Sequence, residues 1–442
     1  MVDAAMDGLS PRDTLGNYYD ATVGPRPARA ALRGEIEAEV CIVGAGFAGM
    51  ATALGLLERG VKDVVVLEAQ RVGHGASGRN GGFVFGGYSL DCADLLAQLG
   101  PERARAVYAL TRTAVDLIRQ RIARHAIDCE AVEGGALLAN WFDDEAILRR
   151  QQQLMEQHFG VTWRFIDKAE LAQWVRSGRY SAALLEPDAF HFHPLKYALG
   201  EAAAIESLGG RILEGSRATA VASRAGGMRV TTDHGAVHAP HVVIAGGGYL
   251  ANLVPQLERA ILPIATYVMA TEPLGDALHA VLPSRAAVYD TRFAFDYYHK
   301  LNDTRLLWGG RISVRDRDPR DIAAFLKQDM LKVFPSLRDA RVEHAWGGMM
   351  SYARHKMPQI GRLQDGAQRG LWYGLGFGGH GVAPTTAAGE LLAAAIAHGT
   401  PLPEGFERYG LPRTWRPAGL VAAQATYSWL QWKDRWRERP FG

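Results

Sequence analysis

The stretch that decides the fold is Glu39-Val40-Cys41-Ile42-Val43-Gly44-Ala45-Gly46-Phe47-Ala48-Gly49, and it continues to a second run, Val64-Val65-Val66-Leu67-Glu68-Ala69. The first apolar run has the length of a strand and meets three glycines at the spacing Gly-x-Gly-x-x-Gly. A helix-like segment follows, and the second run ends in an acid. This order predicts a βαβ unit. In such a unit the first glycine allows a tight turn, the second lets another group approach the backbone, and the third lets the helix pack closely on the strand.

A βαβ unit of this kind is typical of a dinucleotide-binding domain. Phosphate binds at the helix N-terminus because the N–H groups there carry partial positive charge. Glu68 is placed to accept hydrogen bonds from ribose hydroxyls. An ordinary strand, turn and helix could share the glycine spacing, but the two flanking strands and the terminal acid favour the dinucleotide. The predicted contacts in this unit are Gly44, Gly46, Phe47, Ala48, Gly49, Glu68 and Ala69.

A second glycine-rich segment, residues 73–82, follows the acid almost at once. So many glycines form neither a stable strand nor a stable helix, and we therefore expect a loop pressed against another group. A fold for NAD would normally continue into another helix and strand, whereas a flavin dinucleotide has a second half that must be held away from its adenosine. The segment favours FAD, with the predicted contacts Gly75, Ala76, Ser77, Arg79, Asn80, Gly81 and Gly82.

With these segments in place, the sequence resembles the FAD-dependent amine oxidases of the glycine and D-amino acid oxidase superfamily. The likeness covers most of the chain, and it is greatest to the bacterial branch that oxidises γ-glutamylputrescine. The further motifs that carry it, in order along the chain, are Tyr18-Tyr19, Tyr297-Tyr298, Leu306-Leu307-Trp308-Gly309-Gly310, Gly376-Phe377-Gly378-Gly379-His380-Gly381 and the terminal segment 429–437. One such motif could arise by chance, whereas the full series in the family's order indicates a relationship.

The resemblance implies an α/β fold, with a Rossmann-like FAD-binding domain and a second α+β substrate domain built on an antiparallel sheet. Two domains also fit the length of 442 residues, which exceeds what one compact core usually holds. The predicted division is a leader over 1–36, a discontinuous FAD-binding domain over 37–90, 186–256 and 345–418, a substrate domain over 91–185 and 257–344, and a C-terminal tail helix over 419–442.

Two later segments would complete the FAD site. The apolar run His241-Val242-Val243-Ile244 leads into glycines, as expected for a sheet strand that ends beside the cofactor. Residues 375–384 form a third glycine-rich turn before an alanine-rich helix, whose positive N-terminus would stabilise the anionic reduced flavin. His380 is the candidate for a charged or polar group over the flavin ring; alternatively, it only fills the turn. The predicted contacts are Gly246, Gly247, Gly376, Gly378, Gly379, His380, Gly381 and Val382, and the resemblance adds Val221 near the adenine.

Residues 293–299 are rich in aromatic side chains and are predicted to form a strand over the flavin ring. Side chains alternate along a strand, so Tyr298 lies on one face and the other aromatic residues on the opposite face. We expect Tyr298 and His299 near the substrate, with a structural role as the alternative for each. Members of the family often carry an arginine where this chain has His299.

The resemblance implies that FAD oxidises a primary or secondary amine, γ-glutamylputrescine or a related polyamine derivative, to an imine that hydrolyses to an aldehyde, with molecular oxygen reduced to hydrogen peroxide. No catalytic base is required if the protein desolvates the amine and aims its C–H bond at the ring. Two alternatives stay open. One is an oxidase or dehydrogenase of an α-amino or N-alkyl amino acid, which a carboxylate-binding arginine such as Arg292 or Arg311 would favour. The other is a flavin-binding subunit that passes electrons to a protein partner.

Composition argues against several other kinds of site. Basic and acidic residues number 49 and 47, so no surplus of charge suggests nucleic acid. The three cysteines lack a CxxC spacing, and His191 with His193 has no third ligand nearby, so we expect neither a disulfide framework nor a metal. In sarcosine-oxidase relatives a cysteine binds the flavin covalently where this chain has Met350. We therefore expect FAD to be held non-covalently.

The two ends of the chain bear on its location. Residues 1–10 lack the basic start and apolar core of a signal peptide, and no apolar stretch reaches the roughly 18 residues that a membrane span needs. We expect a cytoplasmic protein without a transmembrane segment. The aromatic tail from residue 419 is expected to dock on the protein's own surface or on a neighbouring subunit of a homo-oligomer, with a membrane surface as the alternative.

Overall fold

The computed structural model describes residues 15–293, 295–314, 317–363 and 370–438. The prediction about a signal peptide concerns residues 1–10, which lie outside the described residues. The helices are α1 (Tyr18–Thr22), α2 (Phe47–Glu58), α3 (Cys92–Leu99), α4 (Pro101–Arg124), α5 (Ala146–Leu154), α6 (Lys168–Leu171), α7 (Pro194–Ser207), α8 (Pro255–Glu258), α9 (Asp276–Val281), α10 (Pro319–Val333), α11 (Val382–His398), α12 (Glu404–Glu407) and α13 (Ala418–Arg437).

The strands form four sheets. They are β1 (Gly34–Glu37), β2 (Val40–Val43), β3 (Val64–Leu67), β4 (Phe83–Val84), β5 (Ala136–Ala139), β6 (Arg164–Ile166), β7 (Ala183–Glu186), β8 (Phe190–His191), β9 (Arg211–Leu213), β10 (Ala218–Arg224), β11 (Gly227–Thr232), β12 (Gly235–Ala239), β13 (His241–Ile244), β14 (Ile261–Thr271), β15 (Ala287–Asp290), β16 (Tyr297–Lys300), β17 (Leu306–Ser313), β18 (Val342–Ala353), β19 (Gln359–Arg362) and β20 (Leu371–Leu375).

The predicted βαβ unit is formed by β2, α2 and β3 within a sheet of order β19-β20-β13-β2-β3-β9, in which all neighbours are parallel except β19 and β20. Both faces of this sheet are covered. Val40 and Ile42 pack on the helix side with α2, whereas Cys41 and Val43 pack against the four-stranded sheet of order β1-β12-β11-β10. Because successive side chains point to opposite faces, double coverage makes the whole strand apolar. The Rossmann-like prediction is confirmed.

The second large sheet has eight strands in the order β18-β14-β17-β16-β15-β5-β7-β6, and its neighbours are antiparallel except β15 and β5. Its core is rich in aromatic side chains, including Tyr298 and Trp308. The predicted α+β part with an antiparallel sheet is thus present. The predicted boundary at residue 345 stays a prediction, but β18 runs through it and pairs with β14 of this sheet.

One predicted strand is shorter than expected. The run 293–299 was predicted to be extended throughout, but β16 begins at Tyr297. The reason is a turn organised by Asp290, whose carboxylate accepts the backbone N–H of Arg292 at 2.9 Å and of Asp296 at 3.1 Å. An Asp side chain that binds backbone N–H groups a few residues on replaces strand pairing by a turn. No helix within the described ranges is long and apolar enough to cross a membrane.

Candidate active site

The first glycine loop joins β2 to α2 and is packed too tightly for side chains. Gly44 has φ +109°, and a Cβ atom there would lie 2.9 Å from the carbonyl oxygen of Ala245. A Cβ atom on Gly49 would lie 2.0 Å from the carbonyl oxygen of Gly44. These contacts bring the loop against the end of β13, where the predicted contacts Gly246 and Gly247 follow. The close packing is the kind that the glycine spacing predicts.

The N-terminus of α2 fits a phosphate site. The cap residue Gly46 offers no side chain, and the N–H of Phe47 donates to Oγ of Ser77 at 2.9 Å. Glu68 lies beside the same loop, where its Oε2 accepts the N–H of Ala45 at 2.8 Å. Each carboxylate oxygen keeps a second lone pair, so Glu68 can still accept from a ribose hydroxyl. Burial raises the pKa of this carboxyl.

The second glycine-rich segment is a tight loop held by Asn80. Its amide Nδ2 donates to the carbonyl oxygens of Ala76 at 3.1 Å and Ser77 at 2.9 Å, and its Oδ1 accepts the N–H of Gly82 at 2.8 Å. Gly82 has φ +75°, and a Cβ atom there would meet the carbonyl oxygen of Phe192 at 2.0 Å. The loop is therefore fixed between the first loop, which it contacts through Ser77, and the backbone of Phe192, as the prediction of a pressed loop requires.

Arg79 ties the same loop to the large sheet. Its Nε donates to the carbonyl oxygen of His74 at 2.8 Å, and its own carbonyl oxygen accepts from Nε1 of Trp346 at 3.0 Å. Trp346 belongs to β18, so Arg79 joins the second glycine loop to the eight-stranded sheet. The predicted cofactor residues of the loop lie at this junction.

The third glycine-rich turn precedes α11. Gly378 and Gly379 have φ +62° and +82°, and a Cβ atom on Gly379 would lie 2.9 Å from Sδ of Met350 and from the hydroxyl of Tyr352. Gly381 caps α11 without a side chain, which leaves the positive helix end accessible to an anion. Met350 thus reaches this turn, at the place where covalent relatives were expected to carry cysteine, and non-covalent binding at this position stays our prediction.

His380 in this turn is polar but uncharged. Its Nε2–H donates to the carbonyl oxygen of Gly86 at 3.0 Å, and Phe85 contacts the imidazole edge to face with ring centroids 4.4 Å apart. Burial lowers the pKa of His380 to about 4. The imidazole is therefore neutral near pH 7, so His380 is a polar rather than a charged group. Its predicted position over the flavin ring stays a prediction.

Taken together, the three loops fit FAD. The side-chain-free end of α2 would hold the pyrophosphate, Glu68 the ribose, and the second and third loops the flavin half. Val221 lies on the edge strand β10, paired with Val230, and its predicted place near the adenine stays a prediction. The other predicted cofactor contacts stay predictions as well, both those in the three loops and Ala48, Ala69, Gly75, Gly376 and Val382.

The predicted substrate contacts Tyr298 and His299 lie on opposite faces of β16. Tyr298 is fully buried, stacks on Trp308 at 4.5 Å, and its hydroxyl donates to that of Tyr180 at 3.3 Å. This position inside the core argues against contact between Tyr298 and substrate. His299 faces the glycine loops, where its Nε2–H donates to the carbonyl oxygen of Gly81 at 2.9 Å. The register of β16, which the sequence does not reveal, decides between the two faces.

The two arginines considered for binding a substrate carboxylate are already paired within the protein. Arg292 contacts Asp290 and Asp296, each at 2.6 Å from Nη2, and its guanidinium lies 3.4 Å from the ring centroid of Trp141. Arg311 pairs with Asp329 at 2.6 Å. Both guanidinium groups therefore serve ion pairs of the substrate sheet.

His191 and His193 serve the fold. Nε2 of His191 donates to the carbonyl oxygen of Arg285 at 3.0 Å, and Nδ1 of His193 accepts the N–H of Lys196 at 3.1 Å as the cap of α7. In the part of the chain that the structure describes, no group of three metal-ligating side chains occurs.

Sequence reasoning pointed to only part of an aromatic cluster beside His380, namely the residues within the aromatic run 293–299. We use this name for Phe83, Phe85, Tyr289, Phe295 and Tyr297, whose neighbouring ring centroids lie 5.4 to 6.4 Å apart around a closed circuit. None of the five residues is fully buried, and Phe295 is 44% exposed. The members come from two distant segments, residues 83–85 and 289–297. The alternation of Phe83 and Phe85 directly after the second loop was a signal for part of the cluster.

Glu186 was also missed. It ends β7 and pairs with Ala136, which pairs with Ala287, so all three side chains point to the side of the sheet where Phe85 and Tyr289 pack. One carboxylate oxygen accepts the N–H of Gly86, and the other, Oε2, has no partner among the described residues. The residue is only 6% exposed, and burial raises its pKa to about 8. Nothing in the sequence around it marks this acid.

Comparison with known proteins agrees with this geometry. The model of the DAO family, described as FAD dependent oxidoreductase, matches residues 39–395. A gamma-glutamylputrescine oxidoreductase from Escherichia coli K12 is 36% identical over 382 residues, which cover 86% of this chain and 88% of that protein. A probable oxidoreductase from Haemophilus influenzae is 34% identical over 369 residues, which cover 81% of this chain and 83% of that protein.

Solved structures share the fold. The crystal structure of glycine oxidase from Geobacillus kaustophilus matches with a TM-score of 0.72 at 21% identity, covering 85% of this chain and 99% of that chain. The predictions of FAD as cofactor and of an enzyme that acts on a C–N bond are confirmed. Since the family model spans most of the chain and includes all three glycine loops, this chain belongs to the DAO family of FAD-dependent oxidoreductases.

Proposed function

We propose that this enzyme oxidises an amine without a carboxylate on the reacting carbon, of the γ-glutamylputrescine kind, and uses molecular oxygen as the electron acceptor. The amine would become an imine, and water would convert the imine to an aldehyde. The two electrons and two protons removed would reduce oxygen to hydrogen peroxide. The similarity to gamma-glutamylputrescine oxidoreductase over most of both chains supports this substrate class.

The aromatic cluster is the observation that carries the proposal. Its five rings adjoin the third FAD loop through the contact of Phe85 with His380, and it opens to solvent at Phe295. Aromatic faces attract alkylammonium ions and exclude water from an alkyl chain. Exclusion of water lowers the pKa of an amine, which must be neutral to be oxidised. A cluster of this kind suits an aliphatic amine better than a compact, zwitterionic amino acid.

FAD held by the three glycine loops would supply the hydride acceptor for the carbon next to nitrogen and the route for electrons to oxygen. The chain's own residues would orient the amine. Once ionised, as the pH rises through about 8, Glu186 would attract the substrate's cationic end from the buried side of the cluster. His380 would present an uncharged imidazole beside the third loop. An arginine available to bind a substrate carboxylate would have favoured an α-amino acid, but Arg292 and Arg311 are engaged in ion pairs within the protein.

The test is anaerobic mixing of the purified FAD protein with γ-glutamylputrescine, putrescine, sarcosine, glycine and D- and L-amino acids. We expect flavin absorbance to bleach with γ-glutamylputrescine and to return in air with one hydrogen peroxide per turnover. Bleaching by amino acids alone would refute the proposal. Bleaching by the amine without peroxide in air would instead favour a protein partner as electron acceptor.

A pair of phenylalanines gives a matched control. Phe295 belongs to the aromatic cluster, whereas Phe293 is similarly exposed, at 41% against 44%, but packs toward Tyr427. We expect Phe295→Ala to raise KM for the amine roughly tenfold, because one face of the cluster is lost. Phe293→Ala should leave KM near the wild-type value. Equal effects of the two substitutions would remove the cluster from the proposed pocket.

A further inference from the structure

The C-terminal helix α13 has one face committed to the body of the protein. Tyr427 and Asp434 are buried there. The hydroxyl of Tyr427 accepts the N–H of Ile312 at 3.0 Å, and Oδ2 of Asp434 accepts the N–H of Phe293 at 2.9 Å. The helix is thus docked on the substrate sheet by this face, and its opposite face is turned outward.

The outward face is apolar and aromatic. At 3.6 residues per turn, its exposed apolar side chains fall within a stripe about 100° wide. The stripe consists of Val421, Ala422, Ala425, Trp429, Trp432 and Trp436. Trp429, Trp432 and Trp436 are 59%, 51% and 82% exposed. Their rings stack in sequence, with centroids 5.1 and 6.2 Å apart. We call this surface the tryptophan stripe.

Positive charge borders the tryptophan stripe on both sides. Helical rotation places Lys433 along one edge and Arg435 along the other, and both are exposed. The two acids at this end of the helix are occupied inside the protein. Asp434 binds the backbone of Phe293, and Glu438 accepts from Nε1 of Trp141 at 2.8 Å. The exposed charge beside the stripe is therefore positive.

We propose that the tryptophan stripe binds the surface of a membrane that carries anionic lipid headgroups, with α13 lying parallel to that surface. Tryptophan prefers the boundary between acyl chains and headgroups, because its indole is largely apolar but carries one N–H donor. Lysine and arginine at the edges of an apolar helical face attract anionic headgroups. The enzyme is then a peripheral membrane protein held by one helix face.

Charge favours a membrane over a second copy of this chain. Two stripes packed against each other would bring Lys433 and Arg435 of both copies to one interface. The nearby acids Asp434 and Glu438 could not pair with them, because both already bind groups of their own chain. An anionic lipid surface supplies the missing negative charge. The protein's own surface is not the partner either, since α13 already uses its other face for that contact.

The test uses the full-length protein with FAD bound and vesicles of phosphatidylcholine, with or without phosphatidylglycerol. We expect co-sedimentation with the mixed vesicles, weaker binding to phosphatidylcholine alone, and loss of binding as salt is raised. Brominated acyl chains should quench tryptophan fluorescence in the wild-type protein. This last readout needs no variant, so it tests the insertion of indole rings even if a substitution disturbs folding.

Variants assign the binding to the stripe. The triple substitution Trp429→Gln, Trp432→Gln and Trp436→Gln should weaken vesicle binding by more than about tenfold, while FAD content and turnover in solution stay unchanged. The matched control is Leu208→Gln, an exposed apolar residue at the end of α7, 44% exposed, which should bind as the wild type does.

Three outcomes would overturn the proposal. The first is that the wild type does not bind anionic vesicles at low ionic strength, and the second is that the triple variant binds them as well as the wild type does. The third is that the wild type is a dimer, the triple variant is a monomer, and neither binds vesicles. The last outcome would assign the stripe to a second copy of the chain. None of these results depends on the substrate, so the proposed function is tested separately.

Discussion

The ring of Tyr297 lies between two glycines, Gly81 of the second FAD loop and Gly309 of β17. A Cβ atom on Gly81 would lie 2.4 Å from Cε2 of Tyr297, and one on Gly309 would lie 2.0 Å from its Cζ. A side chain at either glycine would therefore overlap the ring. The carbonyl oxygen of Gly81 also accepts from His299, so cofactor loop and substrate sheet are fixed to each other at this point.

Replacing Gly81 by alanine should separate these two elements. The new methyl group forces either the loop or Tyr297 to shift, and overpacking of this kind costs about 1 to 3 kcal/mol. We expect Gly81→Ala to retain FAD less tightly and to lose turnover by about tenfold or more. FAD content after gel filtration and kcat measure the two effects. Gly178→Ala, at a glycine with no atom within 4 Å of its Cβ position, is the control. Wild-type turnover in Gly81→Ala would contradict the role of this contact.

Glu186 should control the pH dependence of amine binding. Burial raises its pKa to about 8, so the carboxylate forms as the pH rises through that value. If Glu186 attracts the substrate's ammonium group, 1/KM of the wild type should rise as the pH passes about 8. The variant Glu186→Gln should not show this rise, and at high pH its KM should be roughly tenfold higher than that of the wild type. Steady-state kinetics across the pH range would measure both.

The same pKa predicts an effect on stability without substrate. The folded protein binds the Glu186 proton more tightly than the unfolded chain, so the stabilisation from the neutral form is complete below the normal glutamate pKa and is lost as the pH rises through about 8. The melting temperature of the wild type should therefore fall relative to Glu186→Gln over this range. Asp233→Asn, at an exposed acid that does not affect the pKa of Glu186, is the control. Parallel curves for wild type and Glu186→Gln would count against a buried, titrating Glu186.

Much of the cofactor side was predictable from sequence, because steric rules act over short spans. The spacing of Gly44, Gly46 and Gly49 marks a loop that tolerates no side chains. The substrate side depends on long-range pairing. Whether Tyr297 or Tyr298 faces the cofactor is set by the register of β16 against β17, which no local pattern contains. Glu186 follows the apolar residues of β7, and a polar residue at the end of a strand does not by itself indicate a functional side chain.

Arg292 should prove structural rather than substrate-binding. Its partners Asp290 and Asp296 are almost fully buried, and removal of the guanidinium leaves two buried carboxylates without their cation. Breaking a buried ion pair in this way costs about 3 to 5 kcal/mol. We expect Arg292→Gln to lower the denaturation midpoint markedly, with KM little changed in the protein that stays folded. Arg285→Gln, at an exposed arginine, is the control. An unchanged midpoint with a raised KM for amino acids would restore the amino acid alternative.

His193 should make the enzyme sensitive to acid. Its Nδ1 accepts the N–H of Lys196, and its Nε2–H donates to Oγ1 of Thr22 at 3.0 Å, so the fold requires the neutral ring. Burial lowers its pKa to about 3. The folded pKa lies below the normal histidine value, and the stability gained from the neutral ring is therefore present above about pH 6.5 and lost as the pH falls toward about 3.

The substitution His193→Asn distinguishes the capping of α7 by residue 193 from the protonation of the histidine ring. Asparagine can still accept the N–H of Lys196, because it is a favoured residue at helix N-termini, but it does not protonate. Between about pH 7.5 and about pH 5.5, wild type should lose on the order of 1 kcal/mol more than His193→Asn in urea denaturation. His279→Asn, at an exposed histidine, should follow the wild type. If His193→Asn loses as much as the wild type over this range, another group causes the acid sensitivity, and the neutral His193 cap does not contribute to it.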